Sequence, residues 1–349
     1  MRGTCLERCI HANGHEHHAP PAGARAPKTQ RREGQREDQR MIEERERRDN
    51  RSVTVQLTEL QEQTTKLGTS REIIGVLRFL WDKIVHPIIS QLDNAGVPHR
   101  SRIWWCLTSE LCSLPLHAAG PYRGGERNLP DLYTSSYTPT LSALIRARSN
   151  IIRRKAPTLL VVGHPDDALQ HVGEEVKIIQ QLSDSAKVII GKEATRDAVL
   201  QGLREHPWVH FACHGNLGDD LQPFQASFQL HDRRLPLLDI IRARLPNAEL
   251  AFLSACFSAA GDVFTPDETI HLAAALQFCG FRSVVGTLWE MNDEDGPFIS
   301  KEFYKYMFRD SGKRPDFKDS AEGLSYAIRE MRKDQVPVER WVMFVHIGA

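Results

Sequence analysis

The chain has 349 residues, with 45 basic against 45 acidic side chains, so its formal net charge is zero. A balanced charge without a basic domain argues against a nucleic-acid partner, and no run approaches the ~20 apolar residues of a membrane span. Seven scattered cysteines make no disulfide framework, and no apolar signal core follows Met1, so a reducing, cytoplasmic setting is expected.

Every Phe, Trp and Tyr lies beyond position 70. The first 70 residues carry 13 basic and 11 acidic side chains and too little apolar surface to offset their ordering entropy. Residues 1–70 are therefore expected to be disordered or partly helical, and residues 71–349 to form the folded domain. Cys5, Cys9, His11, His15, His17 and His18 could bind a soft metal ion, but their spacing fits no zinc pattern and disorder is expected. Residues 28–51, with nine basic and seven acidic groups, read as a solvated helix or charged linker. Val53, Leu57, Leu60 and Leu67 form a thin stripe at helical spacing, a short amphipathic lead-in.

From residue 72 the pattern is that of a packed domain. Ile73, Ile74, Leu77, Leu80, Trp81, Ile84, Val85 and Ile88 recur at three and four, which predicts a helix broken near Pro87. Residues 102–106 and 133–137 read as short strands around a turn-rich stretch. A regular alternation follows: strand 158–162, helix 168–182, strand 187–190, helix 195–204 and strand 208–212. After a polar excursion over 215–235 come a short helix at 237–244, strand 250–254, helix 267–279 and strand 283–286. Helices near 294–308 and 317–333 and a last strand, 341–346, close the chain. Continuous apolar strands alternating with helices predict a mostly parallel α/β sheet covered on both faces.

In such sheets chemistry sits at the carboxyl ends of the strands. Trp208-Val-His-Phe-Ala212 runs into Cys213-His214-Gly215, and Leu250-Ala-Phe-Leu-Ser254 runs into Ala255-Cys256. The 42-residue separation with one crossover helix suits neighbouring parallel strands, so His214 and Cys256 could face each other across a cleft. The imidazole would act as base, or as the ion-pair partner that lowers the thiol pKa. Gly215 permits close approach by a substrate, and backbone N–H groups near Gly215 and Cys256 could form an oxyanion hole. A cysteine at a strand end is more often simply a buried packing residue, and Cys213 and Cys279 are read so.

Two other strand ends carry competing readings. Val161-Val-Gly-His-Pro-Asp-Asp167 resembles the His-Pro-Asp-Asp-Glu motif of zinc-dependent sugar N-deacetylases, in which His and Asp ligate the metal. Here Ala168 replaces the final Glu and no later His-x-x-His pair completes the site; a Pro-Asp turn is also a common strand exit. The acidic run after Gly286, which includes Asp293, would hold a basic substrate side chain, or would simply start a helix.

Together the motifs resemble a CHAT domain, the caspase-like peptidase module related to separase. The resembling residues are Phe211-Ala-Cys-His-Gly215, Leu253-Ser-Ala-Cys256, Thr269-Ile-His-Leu-Ala-Ala-Ala-Leu276, Gly280 through Asp293, and Leu114-Pro-Leu-His-Ala-Ala119. The resemblance covers roughly residues 72–349 and implies a caspase-like sheet. It also implies a cysteine peptidase with Cys256 as nucleophile and His214 as base, acting through an acyl-enzyme on a protein or peptide substrate without metal or cofactor. Gly215 matches the glycine after the histidine, and Asp293 an acidic position near the substrate cleft. Relatives usually carry helical repeats, often tetratricopeptide, ahead of this module, where this chain has only residues 1–70; the resemblance thus implies a recruiting or activating module that is missing, truncated or supplied by another protein as a regulatory helical-repeat partner. Phe257-Ser-Ala-Ala-Gly261 departs from the family's polar stretch after the cysteine. The second reading is a catalytically silent caspase-like scaffold that binds partners.

Overall fold

The computed structural model describes residues 69–149, 156–216, 226–254, 272–310 and 312–349. Expectations for the segment before 69, including the Cys5–His18 donors and the 53–67 stripe, lie outside the described residues, as do the start of the 267–279 helix and Cys256.

Helix α1 (Ser70–Leu80) opens on a capping box in which Thr69 and Glu72 satisfy each other's first-turn backbone N–H groups. It runs through a π-helical turn, Trp81–Val85, into α2 (His86–Asn94). Pro87 does not break the helix as expected. The wider turn already sends the His86 N–H to Trp81 O, and Pro87 sits at the start of α2, where no N–H is needed.

The remaining elements are β1 (Arg102–Trp105), α3 (Leu129–Leu132), β2 (Thr134–Tyr137), α4 (Leu141–Arg148), β3 (Leu159–Gly163), α5 (Val172–Leu182), β4 (Ala186–Ile190), α6 (Arg196–Glu205) and β5 (Trp208–Ala212). After these come β6 (Gly215–Asn216), β7 (Ser227–Phe228), β8 (Leu235–Pro236), α7 (Leu237–Ala243), β9 (Leu250–Leu253), α8 (Leu272–Phe278) and β10 (Ser283–Thr287). Helices α9 (Asp295–Met307), α10 (Ser320–Lys333) and α11 (Val338–Trp341) and strand β11 (Phe344–Gly348) end the chain. Thr140 and Thr195 cap α4 and α6 by accepting the Ala143 and Ala198 N–H groups.

Eight strands form one sheet in the order β1-β2-β11-β10-β9-β5-β3-β4. Neighbours run parallel throughout except β10 and β11, which pair antiparallel. The sheet thus joins a five-strand block, β10 to β4, to a three-strand block of opposite direction. Strands β3, β5, β9 and β10 are buried along their whole length, as their unbroken apolar runs require.

Helices cover both faces, as the alternation predicted. A Cβ on Gly163 would lie 2.9 Å from Val176 of α5, whereas one on Gly202 of α6 would lie 2.9 Å from Leu160. Residues 160 and 163 point to opposite sides of β3, so α5 and α6 take opposite faces. Gly348 holds φ +106, and a Cβ there would meet the Arg282 carbonyl at 2.2 Å.

The structure adds features that the pattern did not show. The polar excursion after β5 carries a three-stranded antiparallel sheet, β6-β7-β8, of two-residue strands too short for a readable period. The last strand begins at Phe344 rather than Trp341, because residues 338–341 make a short helix behind Pro337. A second apolar cluster of Val76, Leu80, Trp81, Val85, Ile89, Trp105, Leu114, Leu116 and Leu129 joins α1 and α2 to the β1 end of the sheet.

Candidate functional site

Strands β5 and β9 are parallel neighbours, in register from Trp208 against Leu250 to Phe211 against Leu253. The adjacency expected from the 42-residue spacing is therefore present. Beyond β5, Cys213 is fully buried, and burial pushes its thiol far up, with the Glu175 carboxylate adding to the shift. Cys279 is pushed up to about 12 by burial. Neither has the character of a nucleophile.

His214 is the first partly exposed side chain after β5, with 33% of its side chain accessible. Its Nε2 lies 3.0 and 3.2 Å from the two carboxylate oxygens of Asp166, and its carbonyl accepts the Gln229 N–H at 2.8 Å. Gly215 begins β6, opposite Phe228. The small sheet thus fixes the backbone that carries the imidazole.

Asp166 belongs to the loop between β3 and α5. That loop enters by a hydrogen bond from the His164 N–H to Ala212 O at 3.0 Å. One Asp166 oxygen accepts the Ala168 and Leu169 N–H groups at 2.9 and 3.0 Å. Partial desolvation acts to raise the carboxyl, but the Ala168 N–H, the His214 ring and the Leu169 N–H outweigh it and hold Asp166 below the usual carboxylate range. Two further rings stand nearby: His164 meets His231 edge to face at 6.1 Å. Burial lowers the His164 pKa, Asp166 opposes that, and His231 and His214 add to it.

The same loop ends at His171. Its backbone N–H and its Nδ1 both contact Asp293 Oδ2, at 2.7 and 2.8 Å. The loop from His164 to His171 therefore bridges the exit of β5 to the acidic turn after β10. Asp293 ties that turn to the loop through one oxygen, with 20% of its side chain exposed.

At the exit of β9, the Ser254 N–H donates to Phe211 O at 2.9 Å. Cys256, two residues on, lies outside the described residues. Beneath these strand ends runs a buried polar column. Glu175 Oε1 contacts His210 Nε2 at 3.1 Å and accepts from Ser300 Oγ at 2.5 Å, while His210 Nδ1 meets Tyr304 OH at 3.2 Å. A Cβ on Gly296 would lie 2.8 Å from Glu175 Oε2 and 3.2 Å from Ser254 Oγ, which sets this carboxylate against the exit of β9.

Asp166 and Glu175 were not singled out from the sequence. The Asp166 signal was present in the Pro-Asp turn at a strand exit, read there as a turn or a zinc motif. Among the described residues no group of three or more His, Cys, Asp or Glu side chains is arranged to hold a metal ion. No helix of the described residues is long and apolar enough to cross a membrane.

A family model described as the CHAT domain matches residues 75–349. Among solved structures, a chain of the Saccharomyces cerevisiae separase–securin complex is similar over 70% of this chain, at 18% identity and a TM-score of 0.50. This chain spans only 15% of the length of that one, and the likeness speaks to fold alone. The Arg-specific cysteine proteinase gingipain R is similar over 67% of this chain and 57% of its own, at 12% identity and a TM-score of 0.47. No curated protein matches the chain.

Proposed function

Because the chain belongs to the CHAT domain family, we propose that it is a cysteine-type peptidase in which Cys256 is the nucleophile and His214 the base. The observation that carries this reading is His214 itself: a one-third-exposed imidazole at a strand exit, oriented by a carboxylate, on the neighbour of the strand that leads to Cys256. Counted from the last paired residues, Phe211 and Leu253, His214 and Cys256 both stand three residues on.

In the proposed mechanism Asp166 accepts the Nε2–H of His214, which leaves the Nδ1 lone pair to take the thiol proton. The Cys256 thiolate attacks the substrate carbonyl, and the developing oxyanion is met by backbone N–H groups near Gly215 and Cys256. The imidazolium, stabilised by Asp166, returns its proton to the leaving amine. Water then enters with His214 again as base, and hydrolysis of the acyl-enzyme restores the thiol. Asp293 is assigned to a basic substrate side chain beside the cleft; its contact with His171 would hold the turn on which it sits. The substrate is a protein or peptide, the setting cytoplasmic, and a helical-repeat protein the proposed regulator.

An electrophilic peptide probe tests the assignment. Wild type should label stoichiometrically and Cys256→Ala should not label. Equal labelling of the two would overturn the assignment. A wild type that neither labels nor cleaves a peptide library, alone or with a helical-repeat partner, would leave a binding scaffold as the function.

A further inference from the structure

The turn that joins β10 to α9 meets two parts of the candidate site at once. Asp293 Oδ2 accepts the His171 N–H at 2.7 Å, at the end of the loop whose Asp166 faces His214. On the other side, Ser254 Oγ, two residues before Cys256 in the chain, lies 4.0 Å from Met291 Sδ. A Cβ on Gly296, in the first turn of α9, would come within 3.2 Å of the same hydroxyl. A shift of this turn would therefore disturb the loop behind His214 and the exit of β9 together.

Arg340 of α11 ties the end of that turn. Its Nε donates to both oxygens of Asp295, the first residue of α9, at 2.9 and 3.2 Å, and its Nη2 donates to Oδ1 at 2.5 Å. The same Nη2 lies 2.7 Å from Glu294 Oε1. The Asp295 side chain is only 3% exposed, and burial pushes its carboxyl up while the Arg340 guanidinium opposes the shift. Without the guanidinium, a buried carboxylate would lose the cation that faces it, a cost large enough to displace the turn. The post that carries Arg340 is itself fixed. Val338 and Trp341 are buried, Arg332 of α10 lies over the Trp341 ring at 5.4 Å, and Glu339 accepts the Ser70 hydroxyl at the start of α1. The Leu288 N–H, where the turn begins, donates to Met343 O just beyond α11 at 2.9 Å. The turn is thus pinned at both ends to one short segment near the end of the chain.

We propose that Arg340 is a positioning residue for the candidate site: its two-bonded hold on Asp295 fixes the turn after β10 and, through Asp293 and Met291, the loop that orients His214 and the strand exit that leads to Cys256. The inference rests on the peptidase reading for its rate measurement, whereas its exchange measurement does not.

Arg340→Gln is compared with Arg102→Gln in the full chain. Arg102 also makes a two-bonded pair, with Glu322, but that pair joins α10 to β1 at the far edge of the sheet. Two quantities are read: labelling by the electrophilic peptide probe as a function of its concentration, and backbone hydrogen exchange over residues 164–171. In Arg340→Gln the maximal labelling rate should fall by about ten-fold or more, with the half-saturating probe concentration changed by less than about two-fold. Exchange over 164–171 should quicken by roughly ten-fold. Arg102→Gln should leave both within about two-fold of wild type, a difference that a general loss of stability would not produce. Arg340→Lys keeps the charge but not the planar pair, so it should fall between wild type and Arg340→Gln, and it carries the same comparison if Arg340→Gln does not fold. Exchange unchanged in the Arg340 variants, or quickened equally in Arg102→Gln, overturns the proposal, as does a labelling rate within about two-fold of wild type. A wild type that does not label counts against the peptidase reading alone, and the exchange comparison then decides for or against Arg340.

Discussion

At His214, the proposed base, the decisive contact is with Asp166, a residue 48 positions earlier. The Asp166 carboxyl is held below the usual carboxylate range by the Ala168 and Leu169 N–H groups and the imidazole. It therefore stays ionised well below neutral pH and keeps one His214 tautomer in place. Asp166→Asn preserves the shape but removes the charge that stabilises the imidazolium. For a pair that is partly solvated, we expect kcat/KM to fall by about 10- to 100-fold with KM nearly unchanged, and Asp166→Glu to recover part of the loss. Steady-state kinetics on a cleaved peptide would check this; a proportional rise in KM would mean that Asp166 shapes substrate binding instead. Cys256, the proposed nucleophile, could be picked out from Ala255-Cys256 in its run of motifs. Asp166 could not be, because nothing local distinguishes a turn carboxylate from one that faces an imidazole on the next strand.

Among the elements, α5 shows why one buried helix face can carry a carboxyl group. Glu175 occupies the apolar stripe of α5 with Val172, Val176 and Ile179, and its side chain is 3% exposed. It is tolerable there only because β5 presents His210 and α9 presents Ser300 to the same oxygen. Removing one member of such a group is costlier than replacing it with an isostere that keeps the hydrogen bonds. Glu175→Ala is expected to lower unfolding free energy by about 3 kcal/mol and Glu175→Gln by about 1 kcal/mol, read from urea denaturation. Equal costs would show that packing volume matters more than hydrogen bonding. The strand runs and amphipathic helices were legible because burial on both faces demands unbroken apolar strands. The partners of a single buried polar side chain leave no such trace.

The whole molecule should be acid-sensitive for a reason built into its second apolar cluster. His117 is buried beside it, its Nδ1 2.8 Å from Tyr137 OH, and burial lowers its pKa to about 4 against a weaker opposing contact with the Val342 backbone. His346 is fully buried between Ser136, Ser283 and Ser320, and burial, with Arg102 adding, drives it well below its ordinary value. Both rings are neutral when folded and take up a proton in the unfolded chain below about pH 6.5, so acid favours unfolding. The stability they supply is whole above pH 6.5 and declines as pH falls; for His117 the decline runs to about pH 4 and amounts to about 3 kcal/mol. Thermal melts from pH 7 to 4 should show Tm falling over that window, and His117→Gln should flatten part of the slope. A slope unchanged in that variant would remove His117 as its source.

Sequence alone determined the class of this protein: an aromatic-free N-terminal stretch, a mostly parallel α/β sheet behind it, and a histidine and a cysteine that each follow an apolar strand in the chain. Those features follow from composition, periodicity and spacing, which are properties of contiguous residues. Tertiary structure decided the rest: the reversal of direction between β10 and β11, the Asp166 contact with His214 and the Glu175 column. Each of these joins residues far apart in the chain through the geometry of the sheet, and no local pattern encodes which distant side chain will share a face or fill a gap.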